Sequence, residues 1–383
     1  MSSLFRFLYR NFCTTPPANT MAAPPLNTIV NDIFKERNLN KVVDLFKKSS
    51  ESYRFRCKHR IYEVTIRRLA SAKRFSDIET ILEDQKKYDD ISREGFAIRL
   101  IALYGKSGMF DKASQTFDQL PDLKCPRTVK SFNALLSACV DTKNFDKAEP
   151  LFRELPSSLS VKPDIYSYNI MIRAYCEMGS LDSALLILDE MEKNELTPNL
   201  VTFNTLMNAF YEKNRFSDGE RIWARMENSN CVPDIRSFNA KLRGLVLGGE
   251  TSEAVKLVKE LETKGPEPDI HSFNALIKGL CNDGDLEEAT KIYSELAKKD
   301  IMPNRSTFQT LVPCLCEKGN FDMAFKLSKE SLKHRCFLDA GSLQAVVDGL
   351  VKESKFDEAK ELVEFGRAKS YSKSNLRMPS DEE

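Results

Sequence analysis

The sequence has few of the residues that metal and catalytic centres most often use. It contains three histidines, His59, His271 and His334, and its ten cysteines include no Cys-x-x-Cys pair; the nearest two are Cys314 and Cys316. Structural zinc sites need four Cys or His ligands at short, regular spacings. The sequence therefore predicts no metal site, no other cofactor and no catalytic residue. It favours reduced cysteines that pack as small apolar side chains.

A strong net charge and long apolar runs are also missing. The 383 residues include 57 basic and 56 acidic side chains, which gives a net charge of +1 at pH 7. Without an overall basic field, any nucleic acid must be attracted by a local surface. The apolar stretch near the start is interrupted by Arg6 and Arg10 and is shorter than a bilayer span. No membrane span is predicted.

Acidic residues are absent from the start of the chain, where the first is Asp32. Arginines, hydroxyl residues and large apolar residues alternate there, which is the composition of a mitochondrial or chloroplast transit peptide. We predict that residues 1–22 are such a peptide and that the protein acts in the mitochondrial matrix, with the chloroplast less favoured. A frayed terminus without a targeting role is the alternative.

What the sequence does contain is an internal repeat. The segment PDIRSFNAKL at 233–242 reappears 35 residues later as PDIHSFNALI at 268–277. Prolines keep the same spacing at positions 163, 198, 233, 268 and 303. A small residue recurs in phase at Ala148, Ala184, Gly219, Ala254, Ala289 and Ala324. Self-similarity at a fixed period of this length indicates a solenoid.

Each repeat is predicted to form two helices. In the unit 165–199 the first helix is expected from about Ser167, as N-cap, to Glu177, and Gly179 should end it. The second is expected over Leu181–Lys193, where apolar residues recur at helical spacing. Neither helix buries its apolar stripe alone, so neighbouring repeats must stack. The fold class is therefore all-α, with no strand.

Ten such units account for the chain after the presequence. Residues 23–128 hold three degenerate repeats, 129–339 hold six well-formed ones, 340–374 form a C-terminal cap, and 375–383 are a polar, acidic tail. The unit 129–164 has one extra residue, which we place in the turn PSSLS at 156–160.

The unit VTFNTLMNAFYEKNRFSDGERIWARMENSNCVPD at 201–234, with its 35-residue period, resembles the pentatricopeptide repeat of the P class. The resemblance implies a right-handed α-solenoid superhelix that binds single-stranded RNA. The tetratricopeptide repeat, a protein-binding solenoid, is less similar because its Trp-x-x-Leu-Gly pattern is absent and the single tryptophan, Trp223, falls in a second helix.

An asparagine recurs early in the first helices, at a cost of a few tenths of a kcal/mol per repeat relative to Ala. One interpretation is a ladder of amides bonded between adjacent helices. The other is that each amide reads one base, as the resemblance implies, together with the last residue of its unit. The implied base-reading pairs are Asn133 with Asp164, Asn169 with Asn199, Asn204 with Asp234, Asn239 with Asp269, and Asn274 with Asn304.

In that family Asn with Asp implies uracil and Asn with Asn implies a pyrimidine, so the core reads 5′-UYUUY-3′. The resemblance also assigns stacking on bases or contact with phosphate to the second residue of each unit. Those residues are Lys130, Tyr166, Val201, Arg236 and His271.

Three functions follow as hypotheses. The first is a sequence-selective binder of single-stranded mitochondrial RNA, mRNA or rRNA, that acts in RNA metabolism or translation. The second is a structural or assembly component of the mitochondrial ribosome that contacts rRNA and ribosomal proteins, because the chain also resembles short ribosome-associated members of the family. The third, a nuclease, lacks support because no segment resembles an aspartate-rich metal-binding domain.

Overall fold

The computed structural model describes residues 26–368 and 376–378, with only the backbone for residues 367 and 368. These residues are helical and include no β-strand, which confirms the all-α class. None of their helices is long and apolar enough to cross a bilayer. The predicted transit peptide lies outside the described residues, as does most of the predicted tail.

The chain divides into two compact units, one that ends at Lys162 and one that begins at Pro163. In the first unit a short 3₁₀ helix, Asp89–Ser92, follows α5. The α-helices of this unit are α1 (Leu26–Lys35), α2 (Leu39–Ser49), α3 (Tyr53–Arg56), α4 (His59–Ser71), α5 (Phe75–Gln85), α6 (Glu94–Lys106), α7 (Phe110–Asp118), α8 (Val129–Asp141) and α9 (Phe145–Leu159).

The second unit is a regular series of helix pairs. Its helices are α10 (Ile165–Met178), α11 (Leu181–Lys193), α12 (Leu200–Glu212), α13 (Phe216–Asn228), α14 (Ile235–Leu247), α15 (Thr251–Lys264), α16 (Ile270–Asp283), α17 (Leu286–Lys298), α18 (Arg305–Glu317), α19 (Phe321–Lys333), α20 (Ala340–Lys352) and α21 (Phe356–Ala368). Each first helix packs against the second helix of its own pair and against the next first helix, as α12 does with α13 and α14. This stacking is the solenoid architecture expected from the period.

Local sequence signals set the helix ends. The prediction for α11, Leu181–Lys193, is confirmed, and Gly179 ends the helix before it in the left-handed region, at φ 79°. The predicted N-cap Ser167 is wrong. Asp164 caps α10 because its side chain accepts hydrogen bonds from the backbone N–H groups of Tyr166 and Ser167, and Ser167 completes a capping box at the third helical position.

The recurring aromatic and small residues form the core between the helices. Phe203 and Phe308 are fully buried, and so is Ala184 in the small-residue column. At Gly219 in that column, an added Cβ would overlap the ring of Tyr211. Small residues there allow the two helices of a repeat to approach closely. A comparable approach occurs at Gly349, where an added Cβ would overlap the ring of Phe321.

The extra residue of the unit 129–164 lengthens a helix rather than a turn. Helix α9 has 15 residues and continues through Pro150 and Pro156 to Leu159. Ser160, at φ 53°, then ends it. The predicted turn over 156–160 is therefore wrong for all but its last residue. Each proline lacks the N–H that would donate to the carbonyl four residues earlier, and the helix continues past that missing bond.

The nine cysteines that the structure describes are free thiols. Burial raises the pKa of Cys139 to about 11 and that of Cys176 to about 12, so both are uncharged at neutral pH. Within the described part of the chain, no cluster of His, Cys, Asp or Glu is arranged to hold a metal ion.

Candidate nucleic-acid interface

The repeated asparagines of the second unit lie on the second turn of the first helices, and each one reaches the N-cap residue of the next first helix. Stacking of adjacent repeats joins the two residues, which are 30 positions apart. The Nδ2 to Oδ1 distances are 3.4 Å for Asn169 to Asn199, 3.3 Å for Asn204 to Asp234, 3.0 Å for Asn239 to Asp269 and 3.0 Å for Asn274 to Asn304.

The same Oδ1 atom of the N-cap residue also caps its helix. In Asp234, Oδ1 accepts from the backbone N–H of Ser237 at 2.9 Å, and in Asn304 it accepts from that of Thr307 at 3.2 Å. One oxygen therefore satisfies an otherwise unpaired N–H of the helix start and holds the asparagine of the preceding repeat.

A Ser or Thr at the third position of the next first helix holds the other end of most of these amides. The hydroxyl of Ser272 donates to Oδ1 of Asn239 at 2.7 Å, and that of Thr307 donates to Oδ1 of Asn274 at the same distance. Asn204 differs, because among the described residues its buried Oδ1 has no partner. The hydroxyl of Ser237 bonds Asp234 instead, at 3.0 Å.

These bonds are those of the amide ladder that the sequence suggested, and they leave one terminal atom of each N-cap residue unused. Within the described residues, no hydrogen bond involves Oδ2 of Asp234 or Asp269, or Nδ2 of Asn199 or Asn304. The unused atom is an acceptor where the N-cap is Asp and a donor where it is Asn. The ladder therefore coexists with a row of polar atoms whose character varies with the sequence.

The two aspartates of this row stay ionised. Burial would raise the pKa of Asp234, but the hydrogen bonds from Ser237 and Asn204 outweigh it and lower the pKa below its usual value. The same holds for Asp269, where Asn239 and the backbone of Ser272 outweigh burial. At neutral pH both carboxylates therefore accept hydrogen bonds and donate none.

A groove runs along this row. A cavity of about 670 Å³ is lined by Asn204, Asp234, Asn239 and Asp269, together with Val201, Arg236 and His271. A second cavity of about 230 Å³ continues past His271 to Asn274 and Lys278. Three of the five predicted stacking residues, Val201, Arg236 and His271, thus line the groove, and Val201 is 60% exposed.

The remaining predicted residues lie around the boundary of the two units. Asn133 is half-buried in α8 of the first unit, and Asp164 caps α10 of the second. Lys130 and Tyr166 are both exposed at the second position of their helices.

Sequence reasoning missed two sets of residues at the site. The hydroxyl residues at the third helical position were visible as a Ser or Thr three residues after each N-cap. Arg243 and Lys278 lie one helical turn after Asn239 and Asn274, the spacing that places side chains on the same face. Both line the groove, and Arg243 donates to the Asn208 side chain.

Comparisons with known proteins agree with the repeat architecture. Models of the pentatricopeptide (PPR) repeat family match residues 99–125 and, in overlapping segments, 127–317, together more than half of the chain. The small ribosomal subunit protein mS78 (rPPR3a) of Arabidopsis thaliana is 48% identical over 211 residues, which cover 51% of this chain and 53% of mS78. Another Arabidopsis thaliana pentatricopeptide repeat-containing protein, named as mitochondrial, is 42% identical over 131 residues, covering 34% of this chain and 31% of that protein.

Among solved structures, the maize pentatricopeptide repeat protein PPR10 shares the fold, with a TM-score of 0.50 and 18% identity over 91% of this chain and 59% of PPR10. The match to mS78 spans about half the length of that relative.

Proposed function

The chain belongs to the pentatricopeptide repeat family, and from that premise we propose that its first helices bind single-stranded RNA, one base per repeat. The four pairs of the second unit read 5′-YUUY-3′. For Asn133 and Asp164 the uracil at the 5′ end is the expectation from the sequence alone, which gives the core 5′-UYUUY-3′.

The unused terminal atoms of four N-cap residues, Asn199, Asp234, Asp269 and Asn304, support this proposal. Oδ2 of Asp234 is an acceptor that suits the N3–H donor of uracil, whereas Nδ2 of Asn199 is a donor that suits the N3 acceptor of cytosine. The other atom, Oδ1, is fixed by the cap and by the neighbouring asparagine. The reading atom therefore needs no rearrangement before a base arrives, which limits the entropy cost of binding.

The groove residues supply the contacts that do not depend on sequence. Val201 lines the groove with an apolar surface and His271 with a flat ring, and Arg236, from the repeat between theirs, adds a planar cation. Stacking of a base on an aromatic side chain contributes about 1–3 kcal/mol. Arg243 and Lys278 bring positive charge to the same groove, where it attracts the phosphate backbone.

Binding of a fluorescent RNA that carries 5′-UCUUC-3′ in constant flanks tests the proposal. Changing the third and fourth bases to adenine should weaken binding by about 1–3 kcal/mol per base. A matched control is Asp339→Asn, which alters an N-cap outside the five pairs and should leave this ratio unchanged. Equal affinity for both RNAs would refute base reading.

We propose further that the protein acts in mitochondria and associates with the small ribosomal subunit. The names of the relatives support this setting, since mS78 is a small ribosomal subunit protein and another relative is named as mitochondrial. Sedimentation of a mitochondrial lysate, with magnesium and again with EDTA, separates the two functions. Migration with the small subunit after EDTA supports a ribosomal component whose groove holds rRNA. Recovery only in light, RNase-sensitive fractions supports a factor for individual transcripts.

A further inference from the structure

The first unit contains a cleft between α7 and α9. It has a volume of about 840 Å³ and is lined by residues of α7 and α9 and by Gln119, which follows α7. Both helices are the second helices of their repeats, and no residue of a first helix lines the cleft. It therefore opens on the side of these two hairpins opposite to their first helices, α6 and α8.

The cleft exists because its two helices differ in length. Helix α7 has nine residues and α9 has 15, whereas a regular second helix such as α11 has 13. The shortened helix covers only part of its longer neighbour, so a gap remains between the two. The extra residue of the unit 129–164 contributes to this gap by extending α9.

The rim of the cleft is acidic on both sides. Asp118 of α7 and Asp146 and Glu154 of α9 line it without an ion pair to any described residue. A fourth acid, Asp111, has its carboxylate 3.9 Å from the ammonium of Lys147, the one base among the lining residues. The rim thus has three uncompensated negative charges, which repel phosphate and attract a cationic partner.

Apolar side chains lie between the two acidic edges. The ring of Phe110 packs at the α7 side, and Leu151 and Leu155 are half-buried on α9. The two leucines are four residues apart and so lie on one helix face. A groove between two helices with an apolar row of this spacing fits a third amphipathic helix.

We propose that this cleft docks a basic amphipathic helix of a partner protein, with leucine or methionine side chains one turn apart between Phe110 and the two leucines. Lysines or arginines that flank this row pair with Asp118 on one edge and with Asp146 and Glu154 on the other. Electrostatic complementarity of this kind sets orientation and association rate. The cleft is lined by second helices and by Gln119, and docking there does not require RNA.

Titration of the full chain with a fluorescent 16-residue helical peptide tests this. The peptide has leucines at helical spacing flanked by lysines, and a second peptide has glutamates in place of the lysines. The lysine peptide should bind with an affinity that falls with salt, and the glutamate peptide should not bind. The variant Asp118→Asn/Asp146→Asn/Glu154→Gln should weaken binding about tenfold or more and flatten the salt dependence.

The matched control is Glu227→Gln/Glu260→Gln/Asp300→Asn, which removes three exposed acids from the second unit and should bind the lysine peptide as the wild type does. Asp146 lies in the first turn of α9, so the triple variant also removes an acid from a helix start. Glu154→Lys alone is therefore a second variant, at an exposed position in the middle of the helix. Affinity for the 5′-UCUUC-3′ RNA should stay unchanged in the triple cleft variant and in Glu154→Lys.

Two results would overturn the proposal. One is equal peptide affinity in the cleft variants and the control, which would show that the attraction is not specific to the cleft. The other is a concentration-dependent dimer of the wild type, seen by light scattering, that the cleft variants abolish, since the occupant would then be a second copy of this chain.

Discussion

The substitution Asp234→Asn isolates the atom that we propose reads a base. Among the described residues, every hydrogen bond of this side chain involves Oδ1, which accepts from the backbone of Ser237 at 2.9 Å, from its hydroxyl at 3.0 Å and from Asn204 at 3.3 Å. Asparagine keeps that oxygen and replaces Oδ2 with an amide nitrogen. Asn199 already caps α12 with the same geometry, so the helix start should be preserved.

The expected cost to stability is small and the expected effect on recognition is large. Asn and Asp are comparable N-caps, and loss of the negative charge at the helix start costs about 0.3–1 kcal/mol. At the third base of the core, uracil N3–H would meet a donor in place of a charged acceptor. We expect a loss of about 1–3 kcal/mol for that RNA, which is roughly a 5- to 150-fold increase in Kd.

Fluorescence anisotropy with RNAs that differ at one base measures this effect. The wild type should prefer 5′-UCUUC-3′ to 5′-UCCUC-3′, and Asp234→Asn should reverse the preference. Asp269→Asn is the matched control, because its effect should fall on the fourth base instead. If Asp234→Asn lowers the affinity for both RNAs by the same factor, Oδ2 does not contact the third base and the reasoning fails.

Three further predictions concern stability. In urea unfolding, Asn239→Ala should lower the free energy of unfolding by about 1 kcal/mol more than Asn204→Ala does. The amide of Asn239 has hydrogen-bond partners at both ends, whereas Oδ1 of Asn204 is buried without a partner among the described residues. Equal losses of stability in the two variants would contradict this. Gly349→Ala should destabilise the protein by about 1–3 kcal/mol because the new Cβ overlaps the ring of Phe321 in the preceding helix. The Cβ of Gly95→Ala meets nothing within 4 Å, so this variant should stabilise the protein by up to about 1 kcal/mol. Thermal unfolding in which Gly349→Ala is the more stable of the two would refute the packing argument. The pKa of Asp269 is lowered in the folded state, so its contribution to stability is present above the unfolded pKa of about 4 and is lost as pH falls through the folded pKa. Asp269→Asn should therefore reduce the loss of unfolding free energy on acidification. An unchanged dependence of stability on pH would count against an ionised cap.

The repeats and their helices follow from the sequence alone because the signals are local. Apolar residues at helical spacing predicted α11 to the residue, and Gly179 marked the end of the helix before it. Proline at a fixed phase excluded helix continuation between repeats. These signals depend on neighbours within about one helical turn, which a sequence displays directly.

The choice between two capping residues needed the backbone. Asp and Ser are both favoured N-cap types, and the N-cap predicted from the sequence was Ser167 alone. The structure places Asp164 in an extended conformation with φ −110° and Ser167 inside the helix, so the aspartate takes the N–H groups and the serine closes the capping box. Which of two competent residues caps depends on where the chain turns, and that turn is fixed by packing between repeats.

The tertiary structure alone showed what the asparagine amides bond to. The sequence presented the ladder and base reading as alternatives. Stacking brings Asn239 to Asp269 over 30 positions, and the bond uses one oxygen of the carboxylate while the other stays unused. One side-chain pair can therefore form the ladder bond through one oxygen and leave the other oxygen for a base, and only the three-dimensional geometry shows this.

The sequence by itself determined the period, the helix pairs and the residue types that recur in phase. The tertiary structure decided which atoms of those residues are satisfied within the protein, and it opened the cleft between α7 and α9. The physical reason is that helix formation depends on local spacing, whereas hydrogen-bond partners and gaps depend on how neighbouring repeats approach one another.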